Sequence, residues 1–247
     1  MRTLQSEGAP ASLGPWFHNL HLPDGTETAP DHPLGDFPAF KWAQLGPALP
    51  DDLSGWTALD IGCNAGFYSF ELARRGARVT GIDADDHYLR QAEWARGQFG
   101  LDVEFRRQSV YDLAHIDERW DLVLFLGVLY HLRHPLLALD LLAPRTRRLL
   151  ALQTLTMPGG AGGTPSDVPF EERARLSEPG WPKAAFVEHE LAGDPTNWWV
   201  FDEGCVEAMA RSSGFELVAR PGHELWLYRP TRGAEVSKQP PPAIPTK

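Results

Sequence analysis
Residues 120–128, WDLVLFLGV, form a continuous apolar run. The run is too short to cross a bilayer, which takes ~18 residues or more, and it lacks the polar alternation of a strand with one wet face. It therefore predicts a central strand covered on both sides. Its neighbours fit the same architecture. Strand-like TALDI (57–61) leads through a glycine-containing turn into a helix through Phe70 to Arg75, and RVTGID (78–83) precedes a helix near His87 to Phe99. VEFRRQ (103–108) is a weaker strand, Leu136 to Leu142 reads as the next helix, and RRLLALQTL (147–155) as the fifth strand. Such alternation implies parallel crossovers, and so a Rossmann-like, doubly wound, mostly parallel α/β sheet.

The flanks differ in kind. Residues 1–50 read as an N-terminal cap segment: 1–35 are rich in Pro, Gly, His and Asp, and Asp36 to Leu49 predict a short helix carrying Phe40, Trp42 and Leu45, confined by Pro38 and Pro47. The α/β domain is expected over 51–230. Within it, 156–200 break the rhythm with PGGAGG (158–163), an acidic stretch and NWW (197–199), and read as an insertion over the sheet's carboxyl edge. Glu203 to Ser213 predict a helix with Val206, Met209 and Ala210 on one face and Gly214 as its stop. FELVAR and HELWLYR then predict an antiparallel closing pair turning at Pro221 and Gly222. Residues 231–247 are Pro-rich and nearly free of apolar side chains, the composition of a disordered tail.

Charge and cysteine content narrow the function. With 23 Lys plus Arg against 33 Asp plus Glu the net charge is −10, a field that repels a polyphosphate partner. The basic cluster Arg145, Arg147 and Arg148 reads as a solvated turn before a strand. Cys63 and Cys205 fall in no CxxC pattern and are expected as buried thiols, not as a disulfide or zinc ligands. No segment suits a membrane span or a signal peptide, so the expected location is cytoplasmic.

The turn after the first strand reads Asp60-Ile61-Gly62-Cys63-Asn64-Ala65-Gly66. A dinucleotide site needs Gly at the first, third and sixth turn positions, where the pyrophosphate approaches the backbone. Those positions hold Gly62, Asn64 and Phe67, so the pattern fails for NAD. Glycines at the first and fifth positions after an acid suit a nucleoside with a bulky tail and no diphosphate. Asp83 ends the second strand about twenty residues on, where an acid accepts both hydrogen bonds of a ribose diol.

Four spaced segments, LDIGCNAG, TGID, SVYDL and WDLVLFLGVLYHLRHP, make residues 56–155 resemble the class I S-adenosylmethionine-dependent methyltransferases. GVLYH (127–131) and the KW at 41–42 resemble more narrowly the wobble-uridine tRNA carboxymethyltransferase group and its small relatives. The resemblance implies S-adenosyl-L-methionine as cofactor, held by the turn of Asp60, Gly62 and Gly66, with Gly62 beneath it. Asp83 would take the ribose, with Ala84 and Asp85 beside it. Val110 and Tyr111 would flank the adenine, and Leu126 would lie under the sulfonium. Tyr130 and Lys41 would reach the tail or the acceptor. Ser109 stands where the superfamily often has an acid for the adenine amino group. The tRNA group anchors an extra carboxylate on its cofactor with a Lys before Gly-Pro and an Arg on the last strand. Here those places align with Leu13 and His223, so the plain donor is expected.

His131, just past the fourth strand, is a candidate base for an acceptor hydroxyl, or a residue that only orients its loop. Glu188-His189-Glu190, like His18 and His21, lacks the spacing of a zinc site, and a solvated acidic face is the expectation. Trp198 and Trp199 read as loop packing first and as an acceptor-stacking lid second. Together these readings predict methyl transfer to an oxygen of a small-molecule acceptor, with no metal, membrane or nucleic-acid partner and no oligomeric state set by the sequence. The alternatives are a tRNA wobble-uridine modifier and a non-catalytic cofactor-binding subunit.

Overall fold
The computed structural model describes residues 11–159 and 168–231. Most of PGGAGG and all but Thr231 of the tail lie outside the described residues. Nine strands and five helices are described: β1 (Thr57–Ile61), β2 (Arg78–Asp83), β3 (Val103–Arg107), β4 (Trp120–Leu126), β5 (Thr146–Gln153), β6 (Ala184–Phe186), β7 (Trp199–Phe201), β8 (Phe215–Gly222) and β9 (Leu225–Pro230), with α1 (Phe37–Leu45), α2 (Phe67–Arg74), α3 (Asp86–Phe99), α4 (Pro135–Leu142) and α5 (Glu203–Ser212). Seven strands form one sheet of order β3-β2-β1-β4-β5-β9-β8, and β6 pairs with β7 in a second. The order reverses at β1, so the turn after β1 lies where open α/β sheets bind ligands. The chain divides into two compact units, one running to Asp112 with Trp120–Leu124, the other made of Leu113–Arg119 and the residues from Phe125 onward.

In the first unit β1 and β2 pair in parallel, as do β2 and β3. Ala58 to Ile61 and Val79 to Ile82 are buried, as strands covered on both faces must be. Asp121, at the start of β4, accepts both the backbone N–H (3.0 Å) and the hydroxyl (3.1 Å) of Thr57. α3 begins where Asp85 accepts the N–H of His87 at 2.8 Å and stops at Gly100, whose φ of 64° is the left-handed conformation glycine tolerates. α1 forms as expected, but only Leu45 of its three expected apolar anchors is buried; Phe40 is 62% exposed. The preceding segment is tied to α3 through Gln91, whose amide donates to the carbonyls of Leu13 (2.5 Å) and Pro15 (2.9 Å).

The second unit contains β5, β9 and β8, with β9 antiparallel to both neighbours. Its turn is not at Pro221-Gly222. β8 continues through both residues, and the chain reverses at His223 and Glu224, the latter at φ 58°. β8 is the edge strand, where the N–H that Pro221 lacks need not be paired. Arg147 and Arg148 belong to β5 and are exposed, so they are not turn residues. Asp202 caps α5 by accepting the N–H of Cys205 at 2.7 Å. Both cysteines are free thiols, but only Cys63 is buried; Cys205 is half-buried. Among the described residues no helix is long and apolar enough to cross a membrane.

One buried acid makes the first unit sensitive to pH. Asp60, 1% exposed on β1, accepts a 2.7 Å hydrogen bond from the hydroxyl of Ser69 on α2. Burial pushes its carboxyl up to about 7 against the Ser69 hydrogen bond, and nearby Asp83 adds to the rise. The folded state therefore holds a proton that the unfolded chain releases near pH 4. This contribution to stability is complete below that value and is lost as pH rises through about 7. Asp60→Asn removes it while keeping an acceptor for Ser69. The expected result is that the urea midpoint of Asp60→Asn gains on the wild type between pH 5 and pH 8; an equal offset at both would contradict it.

Candidate functional site
The turn after β1 is built almost wholly from backbone hydrogen bonds. Gly62 N–H and Cys63 N–H both donate to the carbonyl of Ile82, at 2.8 and 3.0 Å, and Gly66 N–H to that of Cys63 at 2.9 Å. Gly62, Asn64 and Gly66 all adopt positive φ, at 67°, 51° and 89°. At Gly66 a Cβ would also stand 2.9 Å from ring atoms of Phe70 and Phe105, so both conformation and space require glycine. Gly66 caps α2 without a side-chain bond, so no capping side chain takes up the helix's first backbone N–H groups.

Asp83 closes β2 and holds this turn. Its Oδ2 accepts the N–H of Asn64 at 2.9 Å and its Oδ1 that of Asp85 at 2.9 Å. Burial raises the carboxyl, opposed by those backbone hydrogen bonds. A carboxylate has about four lone-pair positions, so each oxygen keeps one for a further donor. Ala84 links it to Asp85, which is engaged as the α3 cap. After β3, Ser109 N–H donates to Asp112 Oδ2 at 2.7 Å, and Tyr111 N–H to Ser109 Oγ at 3.3 Å. Val110 is buried, Tyr111 and Lys41 half-buried. Sequence reasoning had missed Asp112, although Ser-x-x-Asp is a recognisable capping spacing. It had also missed Asn64, whose backbone joins the turn to Asp83. A cavity of about 360 Å³ in the same unit, walled by Leu20, Trp42, Phe67, Phe70, Phe99 and Arg74, is mostly apolar and is lined by none of residues 60–66.

The second unit gathers the other expected residues. Leu126 ends β4, Gly127 N–H donates to Gln153 O at 3.1 Å, and a single tight turn carries Leu129, Tyr130 and His131. The rings of Tyr130 and His131 lie 4.2 Å apart. Burial pushes the Tyr130 phenol up to about 12, with Asp194 and then Glu224 adding to the rise. Burial lowers His131 below its ordinary value, against the opposing effects of Thr196 and Asp194, so the imidazole is neutral near pH 7. His131 Nδ1 meets Thr196 Oγ1 at 2.9 Å and Thr196 O at 3.2 Å. Thr196 in turn donates its hydroxyl (2.6 Å) and its N–H (2.7 Å) to Asp194 Oδ1.

The 156–200 segment is pinned to this turn by Trp198 N–H, which donates to Tyr130 O at 2.9 Å. The Arg133 guanidinium covers Trp198 at 4.4 Å, while Phe186 stacks on Trp198 at 6.2 Å and meets the edge of Trp199 at 5.0 Å. Both tryptophans are half-buried, in keeping with the packing reading. Glu188, His189 and Glu190 are exposed, and the described residues contain no cluster of three or more His, Cys, Asp or Glu arranged for a metal. His223 is 77% exposed, and its neighbour Glu224 accepts the N–H (2.7 Å) and hydroxyl (3.0 Å) of Thr156.

Comparison with known proteins agrees with this geometry. Residues 58–150 match the family described as Methyltransferase domain. The chain is 40% identical over 85 residues to the ubiquinone biosynthesis O-methyltransferase of Methylobacterium sp. (strain 4-46), covering 34% of each protein. It is 37% identical over 127 residues to the tRNA U34 carboxymethyltransferase of Marinobacter nauticus, covering 50% of this chain and 38% of that one. It thus spans between 34% and 42% of the first curated relatives it matches. The N-terminal domain of EvdMO1 with SAH bound superposes with a TM-score of 0.61 at 23% identity, over 89% of this chain and 92% of that one. Magnesium protoporphyrin IX methyltransferase (ChlM) from Synechocystis PCC 6803 with bound SAM gives 0.52 at 18% identity, over 78% and 77%. These two share the fold. The matched segment runs from β1 into β5 and includes both the glycine turn and the acid that holds it, so residues 58–150 are similar to methyltransferase domains.

Proposed function
We propose that the protein transfers the methyl group of S-adenosylmethionine to an oxygen of a small hydroxylated molecule, with His131 as the base. The observation that carries the acceptor reading is the half-buried imidazole of His131, bonded to Thr196 in the turn that follows β4. In this reading residues 1–50 cap a methyltransferase domain of 51–230, with 156–200 as its insertion.

The residues of the glycine turn fit the cofactor. Asp83 keeps lone pairs for a ribose diol, the uncapped start of α2 offers N–H groups to a carboxylate, and Val110 and Tyr111 supply apolar and aromatic surface for a base. The resemblance adds Asp60, Gly62, Ala84, Asp85 and Ser109 to that set and assigns Leu126, Tyr130 and Lys41 to the methyl and the tail. When bound, S-adenosylmethionine supplies an electrophilic methyl on a sulfonium. His131 receives the proton that the acceptor hydroxyl releases as its oxygen bonds to that methyl. Positioning does the rest of the catalysis, since displacement needs nucleophile, methyl and sulfur nearly in line.

The plain donor fits better than the carboxylated one. Leu13 and His223 stand where the tRNA group has cations, and Glu224 beside His223 is an acid. An extra buried carboxylate lacking its partners costs several kcal/mol, on the ~3–5 kcal/mol scale for a broken buried pair. The relative named for ubiquinone O-methylation supports a small acceptor, and the net charge of −10 weighs against a polyanion.

Two measurements test this. Calorimetry is expected to give micromolar binding of S-adenosylmethionine, preferred over its carboxylated form in competition and weakened at least about tenfold by Asp83→Ala, since hydrogen bonds to a charged group are worth ~1.5–3 kcal/mol. Absence of binding would sink the reading, and unchanged affinity in the variant would remove the ribose role. A panel of sugars and phenols followed by mass spectrometry is expected to yield a methylated product, with turnover falling ~10²–10⁴-fold in His131→Ala. Methylated tRNA nucleosides in its place would overturn the acceptor class, and a fully active variant would overturn the base.

A further inference from the structure
The insertion adds two polar side chains to His131. Nδ1 lies 3.2 Å from the carbonyl oxygen of Thr196, and a carbonyl only accepts, so Nδ1 carries a hydrogen. The Thr196 hydroxyl is 2.9 Å from the same nitrogen, and its single hydrogen points to Asp194 Oδ1 at 2.6 Å. Every hydrogen bond therefore runs one way, from His131 through Thr196 to Asp194. Nε2 is left with the ring's lone pair.

We propose that Thr196 and Asp194 are positioning residues that fix His131 in its Nδ1–H form and so keep Nε2 as the proton acceptor for the substrate hydroxyl. This rests on the reading of His131 as the base. The acceptor's O–H bond breaks as its oxygen forms the new bond to the methyl carbon, and the proton passes to Nε2. The electron pair of the broken carbon–sulfur bond stays on sulfur. The imidazolium that results faces the Asp194 carboxylate through the Thr196 hydroxyl, an arrangement in which a third group orients and steadies a histidine base. Burial works against the Asp194 charge, but the hydrogen bonds from Thr196 and the facing His131 hold its carboxyl below the usual value, so the anion is present at neutral pH. The segment does not depend on Thr196 for its attachment, because Trp198 N–H to Tyr130 O ties it separately.

The tautomer can be read without any substrate. Long-range ¹H–¹⁵N spectra of the full chain, with the His131 signal among its nine histidines assigned by loss in His131→Ala, are expected to show Nδ1–H in the wild type. The form should persist in Thr196→Ser and, because the backbone carbonyl at 196 remains as the weaker acceptor at 3.2 Å, shift to a mixture with Nε2–H in Thr196→Val. With the sugar or phenol turned over in the panel, Thr196→Val and Asp194→Asn should lower kcat at least about tenfold at unchanged KM for S-adenosylmethionine, and Thr196→Ser should recover it. An Nε2–H wild type, or a Thr196→Val enzyme with full kcat, overturns the proposal. If His131→Ala is inactive in that same assay, the base assignment still stands; if it is fully active, that assignment fails with the proposal.

Discussion
The bond between the Asn64 N–H and the Asp83 carboxylate sets the geometry of the first unit. A turn that reverses through three residues of positive φ presents its N–H groups inward, and one of them must find an acceptor away from water. Asp83 supplies it from the end of the neighbouring strand and accepts from Asp85 as well. Asparagine would fit the space but would turn its NH₂ towards one of those two donors, leaving an N–H unmet at a cost of about 1–3 kcal/mol. An acid alone accepts on both sides and still has lone pairs left. Its burial beside a second acid, Asp60, is the price of this arrangement, and the raised carboxyls record it.

Much of this unit was legible because its signals are local. TALDI and RVTGID are short apolar runs, Asp85 and Gly100 bracket α3, and the spacing from Gly62 to Asp83 needs no knowledge of the rest of the chain. The second unit was legible only in its regular elements. Pro221-Gly222 is a strong turn signal, yet on an edge strand a missing N–H carries no penalty and the strand ran on. The contact of His131 with Thr196 joins residues 65 apart, one of them in an irregular segment with no periodicity to read. What could have been seen is the Asp-x-Thr turn of Asp194 and Thr196, a local motif whose partner could not be inferred from it.

Residues 194–198 change what holds the Leu129–His131 turn. A histidine at the end of a strand, held only by its own backbone, would sample several rotamers and both neutral tautomers. Here the ring is fixed from one side by Thr196, from another by the tilted ring of Tyr130, and the Tyr130 backbone is fixed by Trp198. Arg133 and Phe186 hold Trp198 in turn, so the aromatic pair of the sequence acts as structural support one step removed from the ring.

Charge also bears on the proposal of a neutral acceptor. Burial, then Asp194 and Glu224, raise the Tyr130 phenol, while the guanidinium of nearby Arg133 lies over the Trp198 ring. Among the described residues several arginines are matched with nearby acids: Arg74 with Glu71, Arg96 with Glu93, Arg106 with Glu104, Arg220 with Glu203 and Glu207, and Arg229 with Glu216. Such exposed pairs contribute little to stability, of the order of 0–1 kcal/mol each. They nevertheless cancel at short range the positive field that a phosphate backbone would need, and counterion release grows only with cations available to the phosphates. A small molecule with a free hydroxyl requires no such field, because its recognition rests on shape, aromatic walls and one group able to take a proton.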